Sequence, residues 1–217
     1  MGYEIARANM VDNQIKTNRV TDLRLIEALE RLPRERFVPE AKRGIAYVDE
    51  DIDLGGGRWL MEPMVLARLL QAADVQPDEM VLVIGCATGY AAAVLAHLAA
   101  TVVALESDEA LAAAAEAAVA ELEIDNLVVV RGALTAGYAK QAPYNVILID
   151  GAVAEIPPEI CDQLSEGGRL VTVRRAAGGV GRATLLERRG AQSSSRSLFD
   201  AAVHFLPGFA PAPGFVF

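Results

Sequence analysis

The residues best suited to chemistry form a glycine-bearing turn between an apolar run and a helical stretch. The apolar run 81–84 (VLVI) ends at the segment 85–90 (GCATGY). A turn of this kind at the carboxyl end of a strand presents backbone N–H groups to a nucleotide-like ligand. Glu106 ends the next apolar run, where a carboxylate can accept hydrogen bonds from ribose hydroxyls. These features favour an adenosine-containing ligand, and a glycine turn without a ligand is the alternative.

The spacing of the glycines separates two kinds of cofactor. A dinucleotide-binding turn needs glycine at its first, third and sixth positions, the last so that helix and strand can pack closely. Those positions hold Gly85, Ala87 and Tyr90, and a tyrosine is too bulky for the last of them. The pattern G-x-G-x-G of S-adenosylmethionine enzymes fits better, with Gly89 as its last glycine and Ala87 at its centre. The turn therefore favours S-adenosylmethionine over a dinucleotide.

Alternating strand and helix patterns position this turn. The sequence predicts strands at 80–84, 101–106, 127–131 and 144–149, and helices at 89–99 and 108–123. Ser107 is the candidate N-cap of the second helix, and Thr21 is that of a helix in the N-terminal region. This alternation predicts an α/β fold, a doubly wound and mostly parallel sheet with helices on both faces. Later strands are expected at 169–174, 182–188 and 197–206, paired as hairpins because little helix separates them.

The length of 217 residues fits one domain with three parts. Residues 1–56 are predicted to be a helical N-terminal subregion, since apolar residues recur there at helical spacing. Residues 57–190 form the predicted cofactor-binding core. Residues 191–217 are expected to supply a last strand and an apolar tail.

Charge and hydropathy exclude several classes of protein. The 20 Lys and Arg against 29 Asp and Glu give a formal charge of −9, which argues against a nucleic-acid partner. The stretch between Glu79 and Glu106 carries no full charge and is long enough to span a bilayer. Its strand, turn, helix and strand pattern instead predicts buried elements of a soluble protein. A polar N-terminus and only two cysteines lead us to expect a cytoplasmic protein without membrane attachment.

Ordered motifs along the chain point to one family. They are PRERFVP at 33–39, Gly57 and Pro63, IG at 84–85, GY at 89–90, APY at 142–144, IP at 156–157, and GGRLV at 167–171. From about Val11 to Arg189 the chain resembles the protein-L-isoaspartate O-methyltransferases. The resemblance implies the class I S-adenosylmethionine-dependent methyltransferase fold with S-adenosylmethionine as cofactor. It also implies a damaged protein or peptide as substrate, methylated at an isoaspartyl carboxylate.

The resemblance also assigns the cofactor site and shows where this chain departs from the family. The implied cofactor-binding residues are Gly85, Cys86, Thr88, Gly89, Tyr90, Glu106, Ser107, Gly132 and Ala133. Met61 stands where the family has its active-site hydroxyl, so no catalytic residue is assigned. Val83 and Ala133 replace two further polar residues. Polar contacts are thus lost while the scaffold motifs remain.

Three residues are candidates for the methyl-acceptor site. Arg58 is suited to pair with a carboxylate, although a solvent-facing arginine is the simpler interpretation. Trp59 is a candidate lining residue, with ordinary packing as its alternative. Asp150 is expected at the end of the fourth strand, beside the cleft.

Other reactive residue types contribute little to the prediction of function. Cys86 has no candidate histidine base near it in sequence, and His97 and His204 are expected to be structural because their surroundings are apolar. No His and Cys cluster has metal-ligand spacing. The charge-free segment 201–217 is expected to pack along its own domain, or else to act as a dimer arm or lid.

Two other functions stay open beside repair methylation. A catalytically degenerate relative could serve as a binding or assembly module, using the apolar tail for contact. A methyltransferase with a changed acceptor would also explain Trp59 and Met61 on the acceptor side.

Overall fold

A seven-stranded sheet forms the centre of the protein, and a two-stranded hairpin lies before it in the chain. The computed structural model describes residues 2–190 and 192–211. The hairpin consists of β1 (Ile52–Gly55) and β2 (Arg58–Leu60). The strands of the sheet are β3 (Met80–Ile84), β4 (Thr101–Glu106), β5 (Leu127–Arg131), β6 (Tyr144–Val153), β7 (Leu164–Arg174), β8 (Arg182–Arg189) and β9 (Gln192–Asp200). Their order in the sheet is β5-β4-β3-β6-β7-β8-β9.

Six α-helices accompany these strands in the described part of the chain. They are α1 (Tyr3–Met10), α2 (Leu23–Arg31), α3 (Pro63–Ala73), α4 (Tyr90–Ala96), α5 (Glu109–Glu121) and α6 (Pro158–Cys161). Residues 11–18 and 34–45 add short π- and 3-10-helical turns. None of the helices in residues 2–190 and 192–211 combines the length and the apolar character that crossing a membrane requires.

The parallel part of the sheet confirms the predicted doubly wound arrangement. β3 pairs in parallel with β4 on one side and with β6 on the other. The strand order therefore reverses between β3 and β6, and ligands of such sheets bind outside the carboxyl ends of the strands at that point. The apolar run in β3 is buried throughout, because helices cover both faces of a parallel sheet.

The predicted hairpin pairing of the late strands is also confirmed, but the last strand ends earlier than expected. β7, β8 and β9 pair antiparallel in sequence. The strand expected at 197–206 instead begins at Gln192 and ends at Asp200. The chain then leaves the hairpin and forms a parallel bridge between Phe205 and Ala152 of β6.

An overhang of β6 explains this course. β3 ends at Ile84, which pairs with Ile149, whereas β6 continues to Val153. The backbone of Ala152 is thus left without a β3 partner, and the C-terminal segment supplies one. Ala152 N–H donates to His204 O at 2.8 Å, and Leu206 N–H donates to Ala152 O at 2.9 Å. We call residues 203–209 the C-terminal strap.

The N-terminal region is attached through the buried side chain of Arg34. Its Nε donates to Ala46 O at 2.8 Å, and its Nη2 donates to Met61 O at 2.7 Å. Its guanidinium also lies 4.7 Å from the centre of the Tyr90 ring. One side chain therefore connects the N-terminal turns, the segment after the β1–β2 hairpin and the first residue of α4. The predicted boundary at residue 57 falls inside that hairpin.

The helix caps lie one residue later than the sequence suggests. Asp108, not Ser107, caps α5, because its carboxylate accepts the N–H of Leu111 at 2.9 Å. Helix α2 is likewise capped by Asp22, whereas the sequence favours Thr21. A carboxylate also interacts favourably with the positive end of the helix dipole, which a hydroxyl does not.

The α5 cap gives a direct test of this assignment. Asp108→Ala removes an N-cap bond and should lower the free energy of unfolding by about 1 kcal/mol. The neighbouring variant Ser107→Ala loses only a long hydroxyl hydrogen bond to Glu106, at 3.3 Å, and should change it by less than about 0.5 kcal/mol. Urea unfolding of both variants measures the difference. Equal losses would contradict the cap seen here.

Candidate active site

Glu106 is the most completely bonded side chain at the carboxyl edge of the sheet. It ends β4 and is fully buried. Its carboxylate forms an ion pair with Arg58 of the β1–β2 hairpin. It also accepts three backbone N–H groups, from Ala87 at 2.8 Å, Ser107 at 2.7 Å and Asp108 at 3.0 Å. The carboxylate predicted to hold a ribose is therefore already paired within the protein.

Arg58 provides the positive charge that pairs with Glu106. The interpretation of Arg58 as a solvent-facing residue is wrong, since only 4% of it is exposed. Its second guanidinium nitrogen, Nη2, donates to Gly85 O at 2.9 Å. The hairpin thus places a cation between the glycine turn and Glu106.

The glycine turn adopts the left-handed backbone conformation three times. Gly85, Ala87 and Gly89 have φ angles of 79°, 49° and 95°. The N–H groups of Gly85 and Cys86 both donate to Leu105 O, at 2.9 and 3.1 Å. The turn therefore has the expected shape, and Ala87 adopts a φ that an L-residue takes only at a cost.

Three side chains of the turn point into protein contacts. The hydroxyl of Thr88 donates to Phe37 O at 2.6 Å. The ring of Tyr90 is buried against Phe37, with ring centres 5.3 Å apart. Burial raises the pKa of the Cys86 thiol well above its usual range. A thiol held in its neutral form is a poor nucleophile, in agreement with the sequence interpretation.

The residues predicted for the adenine side lie at the carboxyl ends of β4 and β5. Ser107 is exposed and follows Glu106. Gly132 follows β5 and its N–H donates to Glu106 O at 3.1 Å. Ala133 is exposed beside it. The fold thus brings the predicted cofactor residues to one edge of the sheet.

The acceptor-side candidates surround a single small cavity. Arg58, Trp59, Met61 and Asp150 all line it, and its volume is about 10 Å³. The ring of Trp59 stacks on His204 of the strap, with centres 3.7 Å apart and planes 6° from parallel. The expectation that His204 sits in an apolar strand is wrong, because it follows β9 and its Nδ1 lies 2.9 Å from an oxygen of the Asp51 carboxylate. His97 is structural as expected, with Nδ1 3.0 Å from Ala93 O.

Asp150 is a buried carboxyl group in this cavity. It lies within β6, which runs four residues further than predicted. Burial raises its pKa to about 7, and the nearby cation Arg58 opposes part of that effect. Its Oδ1 accepts no hydrogen bond from the residues that the structure describes. Asp150 is therefore poised to change charge near neutral pH.

The strap covers the glycine turn. A Cβ atom added to Gly85 would lie 2.6 Å from Cδ1 of Leu206, and one added to Gly151 would lie 3.0 Å from Leu206 Cβ. A Cβ on Gly208 would lie 3.1 Å from Thr135 Cγ2, in the loop after β5. The strap thus extends from β6 across the turn to the loop after β5, near the residues predicted for the adenine side. Neither His204 nor Leu206 was predicted for the site, because nothing in their local sequence indicates which strand edge they reach.

The residues fit S-adenosylmethionine by type, and Arg58 and Leu206 lie against two of the groups that would hold it, Glu106 and Gly85. The glycine turn and Glu106 match the groups that hold an adenosine ligand. Small-molecule sites usually enclose about 300–1,000 Å³. The cavity of about 10 Å³ beside Arg58 and Leu206 is far smaller. Among the described residues, no cluster of His, Cys, Asp and Glu could hold a metal ion.

The raised pKa of Asp150 predicts a pH-dependent stability. Between about pH 4 and pH 7 the folded protein keeps the Asp150 proton that the unfolded chain loses, so this group lowers stability as the pH rises. Asp150→Asn removes this loss. Its free energy of unfolding relative to the original protein should therefore increase from pH 4 to pH 8, by up to about 4 kcal/mol.

Urea unfolding at several pH values measures this difference. Burial also raises the pKa of Glu62 to about 7, so the original protein has a second carboxyl that titrates in the same range. Glu62→Gln measures the contribution of that second group separately. A stability difference between Asp150→Asn and the original protein that stays constant from pH 4 to pH 8 would contradict the assignment.

Substitution of the left-handed residue Ala87 is expected to stabilise the protein, whereas most core substitutions destabilise it. Ala87→Gly should raise the free energy of unfolding by about 1 kcal/mol, because glycine takes positive φ without a Cβ clash. Ala113→Gly, at an exposed position inside α5, should lower it by about 1 kcal/mol. Thermal and urea unfolding test both signs, and a loss of stability in Ala87→Gly would show that the turn is not strained.

Comparisons with known proteins identify relatives of this chain. The family model described as "Protein-L-isoaspartate(D-aspartate) O-methyltransferase (PCMT)" matches residues 6–207. A protein-L-isoaspartate O-methyltransferase 2 of an Anaeromyxobacter species is 40% identical over 168 residues, covering 77% of this chain and 69% of the relative. A protein-L-isoaspartate O-methyltransferase of Methylorubrum populi is 35% identical over 204 residues, covering 94% and 95% of the two chains.

Solved structures support the fold. A protein-L-isoaspartate O-methyltransferase superposes with a TM-score of 0.83 at 24% identity, over 94% of this chain and 67% of the other. A Plasmodium falciparum protein solved in complex with S-adenosyl-L-homocysteine superposes with a TM-score of 0.78 at 17% identity, over 92% and 97% of the two chains. The expected class I methyltransferase fold is thus confirmed. With the family model spanning nearly the whole chain, this protein belongs to the protein-L-isoaspartate O-methyltransferase family.

Proposed function

We propose that this protein transfers a methyl group from S-adenosylmethionine to the isoaspartyl carboxylate of damaged proteins or peptides. The observation that carries the proposal is the glycine turn after β3 beside Glu106, inside the region that matches the family model. The relatives bear the name of this activity, and one structural neighbour was solved with S-adenosyl-L-homocysteine.

The cofactor residues would act mainly by position. Backbone groups at Gly85 and Gly89 would border the methionine part of the cofactor, and Glu106 would bind the ribose. Gly132 and Ala133 would border the adenine. When bound, the cofactor supplies an activated methyl group on sulfur. A substrate carboxylate is already a competent nucleophile, so the protein has to align the reacting atoms and needs no general base.

The acceptor side would hold the carboxylate without the family hydroxyl. Met61 is 3% exposed and lines the small cavity together with Trp59 and Asp150. A thioether is only a weak hydrogen-bond acceptor and donates none to a carboxylate. We expect slower alignment of the acceptor, and hence a lower rate, in this protein than in one that carries the hydroxyl.

The lost hydroxyl can be tested by restoring it. Met61→Ser should raise kcat/KM for an isoaspartyl peptide by about tenfold, the effect of one well-placed hydrogen bond to a charged group. Met61→Ala is the matched control, because it opens nearly the same space without a hydroxyl. Radiolabelled methyl transfer to the peptide measures both variants, and equal rates in Ser and Ala would mean that the hydroxyl is not the defect.

A second candidate function is a binding or assembly module without catalysis. It is favoured by the closed cleft, in which Arg58 and Leu206 occupy the places beside Glu106 and Gly85. Calorimetry with S-adenosylhomocysteine separates the two candidates. Absence of binding at millimolar ligand, in the original protein and in variants that open the cleft, would support the module. A methyltransferase with a changed acceptor would bind the cofactor and leave the isoaspartyl peptide unmethylated.

Partner and location complete the proposal. A homodimer through the C-terminal tail would use its exposed residues or residues 212–217, which lie outside the described residues, since the strap itself is hydrogen-bonded to its own domain. Removing residues 212–217 and measuring the mass in solution tests the dimer.

The two cysteines, Cys86 and Cys161, are both free, which supports a cytoplasmic location.

A further inference from the structure

We propose that Arg58 exchanges partners during the reaction. Before the cofactor binds, Arg58 pairs with Glu106. Once the ribose hydroxyls of the cofactor have replaced Arg58 at Glu106, the arginine binds the carboxylate of the methyl acceptor. The proposal rests on the proposed function. It assigns to one arginine the tasks of closing the site before the cofactor binds and of receiving the substrate.

The first step is competition for Glu106. Its carboxylate is saturated by one cation and the backbone N–H groups of Ala87, Ser107 and Asp108. The backbone donors belong to the turn and to the start of α5, so they stay with the site. Arg58 comes from the separate β1–β2 hairpin, and its interaction is the one that a pair of ribose hydroxyls can replace.

The second step is removal of Leu206. Its side chain fills the space in front of Gly85, where the methionine part of the cofactor would lie. Three backbone hydrogen bonds fix the strap beside the end of β6, two with Ala152 and one from Ala154 N–H to Phe209 O at 2.8 Å. The hairpin and the strap also contact each other, through the stacked rings of Trp59 and His204. Movement of one is therefore coupled to movement of the other.

The third step is the new partner of Arg58. Its side chain reaches from the hairpin to Glu106 and lines the same cavity as Trp59, Met61 and Asp150. A guanidinium released from Glu106 remains next to that cavity. An arginine binds a carboxylate through two parallel hydrogen bonds, and an isoaspartyl group presents that carboxylate. Burial raises the pKa of Asp150 to about 7, so below pH 7 this group is mostly neutral and competes less for the cation.

The exchange predicts opposite effects on two ligands. Arg58→Gln frees Glu106 and should tighten S-adenosylhomocysteine binding by about tenfold. The same variant loses the acceptor's partner, so KM for an isoaspartyl peptide should rise at least tenfold. If Arg58 had only a structural role, its replacement would weaken the binding of both ligands or of neither. Calorimetry measures the first ligand, and initial rates with saturating cofactor measure the second.

Leu206→Ala tests the closed site independently of the ion pair. It should tighten S-adenosylhomocysteine binding by several-fold, because the smaller side chain frees the space in front of Gly85. Leu186→Ala is the matched control, since Leu186 is a buried leucine of the same apolar cluster but lies in β8, away from Gly85. The control should leave the affinity for S-adenosylhomocysteine unchanged. Circular dichroism and thermal unfolding confirm that each variant is folded.

The outcomes separate this inference from the proposed function. If the original protein binds S-adenosylhomocysteine and methylates the peptide, and Arg58→Gln changes neither affinity in the stated direction, the exchange is wrong and the activity stands. If only the opened variants bind, the closed site is confirmed. If no form binds at millimolar ligand, the proposed function fails and the exchange fails with it.

Discussion

Glu106 imposes a strict constraint on the carboxyl edge of the sheet, because a carboxylate without solvent contact is costly unless it is paired and hydrogen-bonded. Here the glycine turn, the start of α5 and the β1–β2 hairpin each contribute a donor. The shape of the turn is set by the N–H of Ala87 reaching that carboxylate. The hairpin, with Trp59 and the segment leading to Met61, is held over the turn by Arg58. Much of the site follows from satisfying one buried charge.

Much of the fold was predictable because it depends on local patterns. The strands β3, β4 and β5 are continuous apolar runs flanked by helix signals, and their bounds agree with the prediction. The glycine turn was predictable since positive φ favours glycine at Gly85 and Gly89. The cap of α5 was placed one residue early, because serine and aspartate are both good N-caps and only the backbone geometry distinguishes them.

The unpredicted part of the site depends on contacts between distant segments. Arg58 and Glu106 are 48 residues apart, and no periodicity relates a hairpin residue to the end of a strand. The apolar segment after Asp200 resembles a continuing strand, yet it pairs with β6 because β6 extends beyond β3. Asp150 was expected at the strand end, and its burial follows from that extension and from the strap that covers it. Family resemblance located the cleft, whereas the structure shows what fills it.

The overhang of β6 also has a consequence for how freely the end of the chain can diverge. The strap is located by main-chain groups of His204, Leu206 and Ala152, and these are the same for nearly every amino acid. Proline at position 206 is an exception, since it has no N–H to donate. The path across the cleft is therefore encoded largely in the backbone, while a side chain such as that of Leu206 decides how far the cleft is filled. Related sequences can thus change how tightly this site is filled, one residue at a time, without changing where the chain runs.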